Sequence, residues 1–213
     1  MSVAIPPRSV LLIVGGSIAA CKMPELVRLL LAEGIQVRCV VTEGGRQFVT
    51  PLTLQALSGQ PVYTDLFSLT AEQEMGHIAL SRWADLVLVC PASANLLARM
   101  AAGLADDLAG ALLLATDAPV MAVPAMNVRM WEHLATQANV ALLGERGVQI
   151  IPPACGSMAC GEFGPGRMPE PGTIKDAVLA FFRRQQAGLG PLAGLRALVT
   201  AGPTHEPIDP VRY

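Results

Sequence analysis

Ser9-Val10-Leu11-Leu12-Ile13-Val14-Gly15-Gly16-Ser17 is the stretch that decides the fold of this chain. Ser9 to Val14 is an unbroken run of strand length, apolar from Val10 on; the glycine pair ends it, and Ser17 caps the next element. Behind Ser17 comes a helical pattern carried by Ile18, Leu26, Leu29 and Leu30 and closed at Gly34, and then a second apolar strand, Val37 to Thr42. A strand whose hydrophobicity does not alternate is buried on both faces, so strand, capped helix and strand make a parallel βαβ unit. Leu86 to Cys90 and Val120 to Val123 repeat the theme, each closed by a proline (Pro91, Pro124) and separated by Ala/Leu-rich helical sequence. This alternation predicts an α/β fold, a three-layer doubly wound parallel sheet.

The remaining segments fill in around that sheet. Thr50-Pro51 opens a helix through Leu57, with Gly59 just past its end. Residues 60–76 read as a loop. Pro152 to Gly172 is dense in Gly, Pro and Met without periodicity and reads as a functional flap. Gly172 to Gln186 is helical again, Gly188 to Gly194 is a linker, and Leu195 to Thr200 starts a new strand. The expected organisation is one core domain over residues 1–190, with a linker and the truncated start of a second domain over 191–213.

Composition narrows the function classes. A chain of 213 residues holds one substantial domain. Hydrophobic residues make up 52% and charged residues 15%, so apolar surface must be buried in the core or between subunits, which favours an oligomer. A net charge of −2 with no Lys/Arg run argues against a nucleic-acid partner. The longest apolar runs, such as Ala109 to Ala115, fall well short of the roughly 20 residues of a bilayer span, so no membrane association is expected. The N-terminal apolar stretch turns straight into Gly15-Gly16 and reads as a strand rather than a signal peptide. Five cysteines, an odd number in apolar surroundings, fit reduced thiols in the cytoplasm.

In open parallel sheets ligands bind beyond the carboxyl ends of the strands, where helix N-termini hold anions. Four segments fall there: Gly15-Gly16-Ser17, Thr42-Glu43-Gly44, Pro91-Ala92-Ser93-Ala94-Asn95 and Pro124-Ala125-Met126-Asn127. The first suits a phosphate, because glycines allow close backbone approach and Ser17 adds a hydroxyl. Gly-x-Gly-x-x-Gly spacing is missing and Glu43 lies too far on for a ribose ligand, which favours a mononucleotide over NAD. Ser93 and Asn95 read equally well as helix caps or as ligands. His77, where a short helix begins, is either a helix-start hydrogen bonder or a base working near neutral pH. His133, on an amphipathic helix, reads as structural. Asn127 caps a helix, a role compatible with offering its amide to a carboxylate. Cys155 and Cys160 are too few and too widely spaced for zinc, and no metal site is expected; a lone thiol on a flap suits a proton donor or nucleophile.

Four strings together resemble the homo-oligomeric flavin-containing cysteine decarboxylases, over nearly the whole chain. They are Gly15-Gly16-Ser17-Ile18-Ala19-Ala20, the segment from Gly76-His77 to Ala84-Asp85, Pro124-Ala125-Met126-Asn127 with Met130-Trp131, and Ala159-Cys160-Gly161-Glu162-Phe163 through Gly166-Arg167-Met168. Leu198 to Thr204 and Glu206 to Tyr213 resemble the opening of a phosphopantothenate–cysteine ligase domain, as in the N-terminal half of a bifunctional protein of coenzyme A synthesis. The resemblance implies a Rossmann or flavodoxin-like flavoprotein that uses FMN to decarboxylate a small molecule, phosphopantothenoylcysteine, and assembles as a homotrimer or a multiple of trimers. It implies that Gly16, Ser17, Thr42, Ser93, Asn95 and Met126 contact the flavin and that His77, Asn127 and Cys160 are catalytic. His77 would be the base, Asn127 would bind the substrate carboxylate and Cys160 would protonate the intermediate. Substrate contacts are expected from Asn127, Met130 and Arg167. Cys21 stands where the family often has tyrosine, Leu96 replaces a threonine usual beside the flavin phosphate, and His205 stands where arginine is common. Peptidyl-cysteine decarboxylases share the His and Pro-x-Met-Asn features but do not need Cys160; phosphatase-binding relatives depend on acidic extensions that this sequence lacks.

Overall fold

Strand β1 (Ser9–Val14) is buried along its whole length, as an apolar run flanked by two further strands must be. The computed structural model describes residues 8–65, 77–158 and 161–187. Within them, β1 pairs in parallel with β2 (Gln36–Val41) on one side and with β4 (Leu86–Ala92) on the other. Strand β3 (Val62–Tyr63) extends the sheet beyond β2, and β5 (Val120–Pro124) and β6 (Gln149–Ile150) extend it beyond β4. All pairings are parallel, in the order β3-β2-β1-β4-β5-β6. This is the doubly wound α/β order whose direction of winding reverses between β1 and β4. At the opposite end of the two strands, Asp85 accepts bonds from the Ser9 backbone N–H (2.8 Å) and from Ser9 Oγ (2.7 Å), which pins their register.

Ser17 introduces a short 3-10 turn (Ile18–Lys22) and then helix α1 (Met23–Ala32), where the sequence suggested one helix. Pro24 at the helix start explains the break. Helix α1 buries Met23, Leu26, Val27 and Leu30, the spacing of one helical face, and ends at Gly34 with φ +73°. Helices α2 (Glu43–Arg46) and α3 (Pro51–Ser58) come after β2, and α3 packs on α1. On the other half, α4 (His77–Trp83) packs on α6 (Leu108–Ala115), and α5 (Ala94–Ala102) on α8 (Leu134–Glu145). Short α7 (Val128–Glu132) succeeds β5, and α9 (Pro171–Ala187) closes the described chain.

Several expectations are corrected. Strand β4 does not stop at Pro91: it passes through a cis Cys90–Pro91 bond to Ala92, and β5 likewise includes Pro124. Residues 60–76 contain β3; the rest of that segment, from 66, lies outside the described residues. The glycine-rich flap holds an antiparallel ribbon, β7 (Ala154–Ser157) with β8 (Phe163–Arg167), which its Gly and Pro content concealed. His133 sits at the N-cap of α8 rather than on a helix, its Nδ1 accepting from the Ala135 N–H. The chain divides into two compact units, Met1–Val178 and Leu179–Tyr213. Of the second, only the last turns of α9 are described, so the expected linker and ligase-like strand lie outside the described residues.

Candidate functional site

The four loops at the carboxyl edge meet through their backbones. Gly15 N–H donates to the Pro91 carbonyl at 3.1 Å, Ala125 N–H to that of Ala92 at 3.0 Å, and Thr42 N–H to that of Val14 at 3.0 Å. The glycines are what permit this. A Cβ on Gly15 would lie 2.4 Å from the Pro91 oxygen, and one on Gly16 would lie 3.0 Å from the Gly44 Cα. Gly16 and Gly44 thus form a side-chain-free floor between the β1 and β2 loops, the kind of surface to which a planar or phosphorylated ligand comes close.

Each polar residue singled out in these loops except Asn95 caps a helix through its side-chain oxygen. Ser17 accepts from Ala19 N–H (3.4 Å), Ser93 from Leu96 N–H (3.3 Å), and Thr42 from Gly45 N–H (3.1 Å) while donating its own proton to the Val14 carbonyl (2.9 Å). Asn127 Oδ1 accepts from Met130 N–H at 2.8 Å, and its Nδ2 makes no hydrogen bond among the described residues. Capping fixes each residue at the point where its strand ends and aligns the free N–H groups of the next helix towards the same edge. Asn95, the second residue of α5, is exposed.

Beside the glycine floor opens a cleft of about 560 Å³. Its walls come from the 3-10 turn (Ser17, Ile18, Ala19, Cys21, Lys22), the β5 exit (Ala125, Met126, Asn127) and the β7–β8 ribbon (Ser157, Met158, Gly166, Arg167, Met168). The ribbon is held to the Asn127 turn by a bond from Met126 N–H to the Gly166 carbonyl (3.0 Å), and Gly166 leaves no room there for a side chain: its Cβ would sit 2.5 Å from the Met126 oxygen. Beneath the wall, Cys90 and Met168 sulfurs lie 3.7 Å apart, and burial pushes the Cys90 thiol well above its ordinary range.

The structure therefore brings Ser17, Met126, Asn127 and Arg167 into one cleft, with Gly16 and Thr42 in the adjoining loops. Ser93 stands at the β4 loop, and Met130, half exposed, lies one turn beyond Asn127 on α7. His77 opens α4, where the sequence placed a helix start, but its side chain lies outside the described residues, as does Cys160. Sequence reasoning missed Lys22, Ser157 and Met158, which line the cleft, and Glu170, which holds two of its cations. Only the position of Lys22 on the turn after Ser17 carried a hint; the others reach the site through the ribbon. Among the described residues no group of three His, Cys, Asp or Glu side chains is placed to hold a metal, and no helix is long and apolar enough to cross a membrane.

Comparison with known proteins matches residues 2–183 to the Flavoprotein family and residues 192–213 to the DNA/pantothenate metabolism flavoprotein C-terminal domain. A coenzyme A biosynthesis bifunctional protein of Vibrio parahaemolyticus and one of Escherichia coli are each 50% identical over 206 residues. Each match takes in 97% of this chain and 50% of the relative, so the chain spans about half the length of these curated relatives. Among solved structures, a PPC decarboxylase variant complexed with pantothenoylaminoethenethiol superposes with a TM-score of 0.73 at 34% identity, covering 83% of this chain and 98% of its own. The FMN-binding protein AtHal3 gives 0.74 at 36%, covering 84% and 98%.

Proposed function

The chain belongs to the Flavoprotein family, and from that membership we propose that it is an FMN-dependent carboxy-lyase that converts phosphopantothenoylcysteine to phosphopantetheine in coenzyme A synthesis. The observation that carries this reading is the close approach of Gly16 and Gly44 immediately before Ser17, which lines the same cleft as Asn127. A flavin needs close backbone approach and N–H donors for its phosphate; the loops at Gly16, Ser17, Thr42, Ser93 and Asn95 offer both, with Met126 beside them. The bifunctional relatives and the decarboxylase neighbour supply the substrate class.

When bound, FMN would supply a two-electron acceptor for the substrate thiol, giving the electron sink an amino-acid carboxylate needs before it can leave as carbon dioxide, and would return the same two electrons afterwards, so that the overall reaction is redox-neutral. The protein's own residues do the rest. Asn127, its Oδ1 committed to the Met130 N–H and its Nδ2 without a hydrogen bond among the described residues, would donate to the substrate carboxylate. Met126 and Met168 make that part of the cleft apolar and limit water. His77 is the proposed base and Cys160 the proposed proton donor to carbon; Met130 and Arg167 are proposed substrate contacts.

We extend the proposal to the assembly and to the longer protein. Leu52, Leu134 and Phe163 are exposed by 74%, 84% and 75%, and such side chains are commonly covered by another subunit; a homotrimer or a multiple of trimers in the cytoplasm is the state we propose, with residues 1–190 the decarboxylase domain and 191–213 the start of a cysteine ligase.

Purified protein should be yellow, with flavin bands at about 370 and 450 nm, and should release carbon dioxide from phosphopantothenoylcysteine. A colourless protein that takes up no FMN overturns the reading. Light scattering on the same sample should return a mass that is a multiple of three chains.

A further inference from the structure

Among the described residues the cleft wall is neutral except at two places. Among its described lining residues only Lys22 and Arg167 carry charge, and both are positive, in a chain whose net charge is −2. The two cations come from different parts of the fold, one from the end of the 3-10 turn and the other from the end of β8. They are brought together by a single carboxylate that lies outside the wall: Glu170 places Oε2 2.7 Å from Lys22 Nζ and Oε1 2.5 Å from Arg167 Nη2. The Lys22 hydrogen bond, and after it that of Arg167, holds the Glu170 carboxyl below its usual range, so it stays ionised between them. The Arg167 side chain also lies along Gly156, whose missing Cβ would stand 3.2 Å from Arg167 Nη1.

One carboxylate against two cations leaves a surplus positive charge. Lys22 has three N–H donors and Arg167 five, of which Glu170 engages one on each side. Both side chains line a cleft whose other described residues are uncharged. A phosphate monoester, with close to two negative charges and three acceptor oxygens, matches a guanidinium beside an ammonium. The carboxylate of the same substrate has Asn127. A flavin phosphate would instead be held by the capped loops at Ser17 and Thr42.

We propose that Lys22 and Arg167 form the subsite for the phosphate end of the substrate, and that Glu170 is the positioning residue that holds the two cations at the spacing one phosphate spans. This rests on the decarboxylase reading given above and adds to it the residues that select a phosphorylated over an unphosphorylated conjugate.

The test uses the flavin-loaded protein and two substrates, phosphopantothenoylcysteine and pantothenoylcysteine, with kcat/KM measured for each. The parent protein should prefer the phosphorylated substrate. Lys22→Gln and Arg167→Gln should each lower that preference by about 10-fold or more, as loss of a charge-assisted hydrogen bond does, mainly through KM; Arg167→Lys should keep most of it. Glu170→Gln should lower it by a smaller factor, about 3- to 10-fold, because the cations remain but are no longer fixed. Both glutamine variants of the cations keeping the parent preference, whatever their total activity, overturns the subsite. If instead those variants lose the absorbance of bound FMN, the cations serve the flavin and the proposal is wrong. An unchanged preference in Glu170→Gln alone removes its positioning role. A yellow parent protein inactive on both substrates overturns the decarboxylase reading and the subsite with it, a result distinct from an active parent with no phosphate preference.

Discussion

Asn127 caps α7 and would still be able to bind a ligand, since its Oδ1 serves the Met130 N–H and its Nδ2 makes no hydrogen bond among the described residues. Replacing it by alanine removes a cap, costing about 1 kcal/mol, and strips a substrate carboxylate of a donor, costing about 1.5–3 kcal/mol. The expected result is a melting temperature lower by a few degrees and a KM raised about 10- to 100-fold with flavin colour retained. A variant that loses its colour while keeping its KM in the residual holoenzyme would assign Asn127 to the cofactor. Glycines separate in the same way. Gly34 has φ +73° with open space around it, so Gly34→Ala should cost only about 1 kcal/mol. Gly166 has φ +129° and the Met126 oxygen 2.5 Å from where a Cβ would stand, so Gly166→Ala should unseat the ribbon and lower thermal stability by clearly more. Equal melting temperatures for the two variants would show that the ribbon is not anchored there. That both positions are glycine was legible; which one faces backbone was not.

At the level of elements, caps were the most readable signals. Ser17, Thr50, Ser93 and Asn127 each precede a helix as their residue types suggest. Asp107, less conspicuous in the sequence, does the same for α6: its Oδ1 accepts from Gly110 N–H at 2.7 Å while Oδ2 lies 3.1 Å from Arg99. Asp107→Ala should cost about 1 kcal/mol, seen as a drop of a few degrees in melting temperature with FMN absorbance unchanged; a loss of flavin would mean that α6 reaches the cofactor. Short strands were the hardest to read. Strands β3 and β6 have two residues each, too few for any periodicity, and they exist because a neighbouring strand offers its edge. The β7–β8 ribbon, with Gly156, Gly164, Pro165 and Gly166, runs against strand propensity and is held by its docking onto the Met126 backbone.

For the molecule as a whole, buried thiols set an alkaline limit. Burial raises Cys39 from 9.0 to about 12 and Cys90 further in the same direction. A group whose folded value is raised keeps its proton in the folded state while the unfolded chain releases it, so the thiol's contribution to stability is fully present below pH 9 and is lost as pH rises from 9 towards 12. Melting temperature should decline steadily over that window, and Cys39→Ala should make the decline shallower; a slope unaltered by the substitution would place the titration elsewhere. By itself the sequence determined that four apolar strands are buried, that they alternate with capped helices, and that the loops after them share one edge of a parallel sheet. These features rest on local composition and period, because burial on both faces and helix starts are written within a few residues. Only the tertiary structure decided the strand order, the contact of Gly16 with Gly44, and the meeting of Lys22 with Glu170 across 148 positions. Such pairings depend on how packed layers bring distant segments together, and no local pattern encodes a distance across the fold.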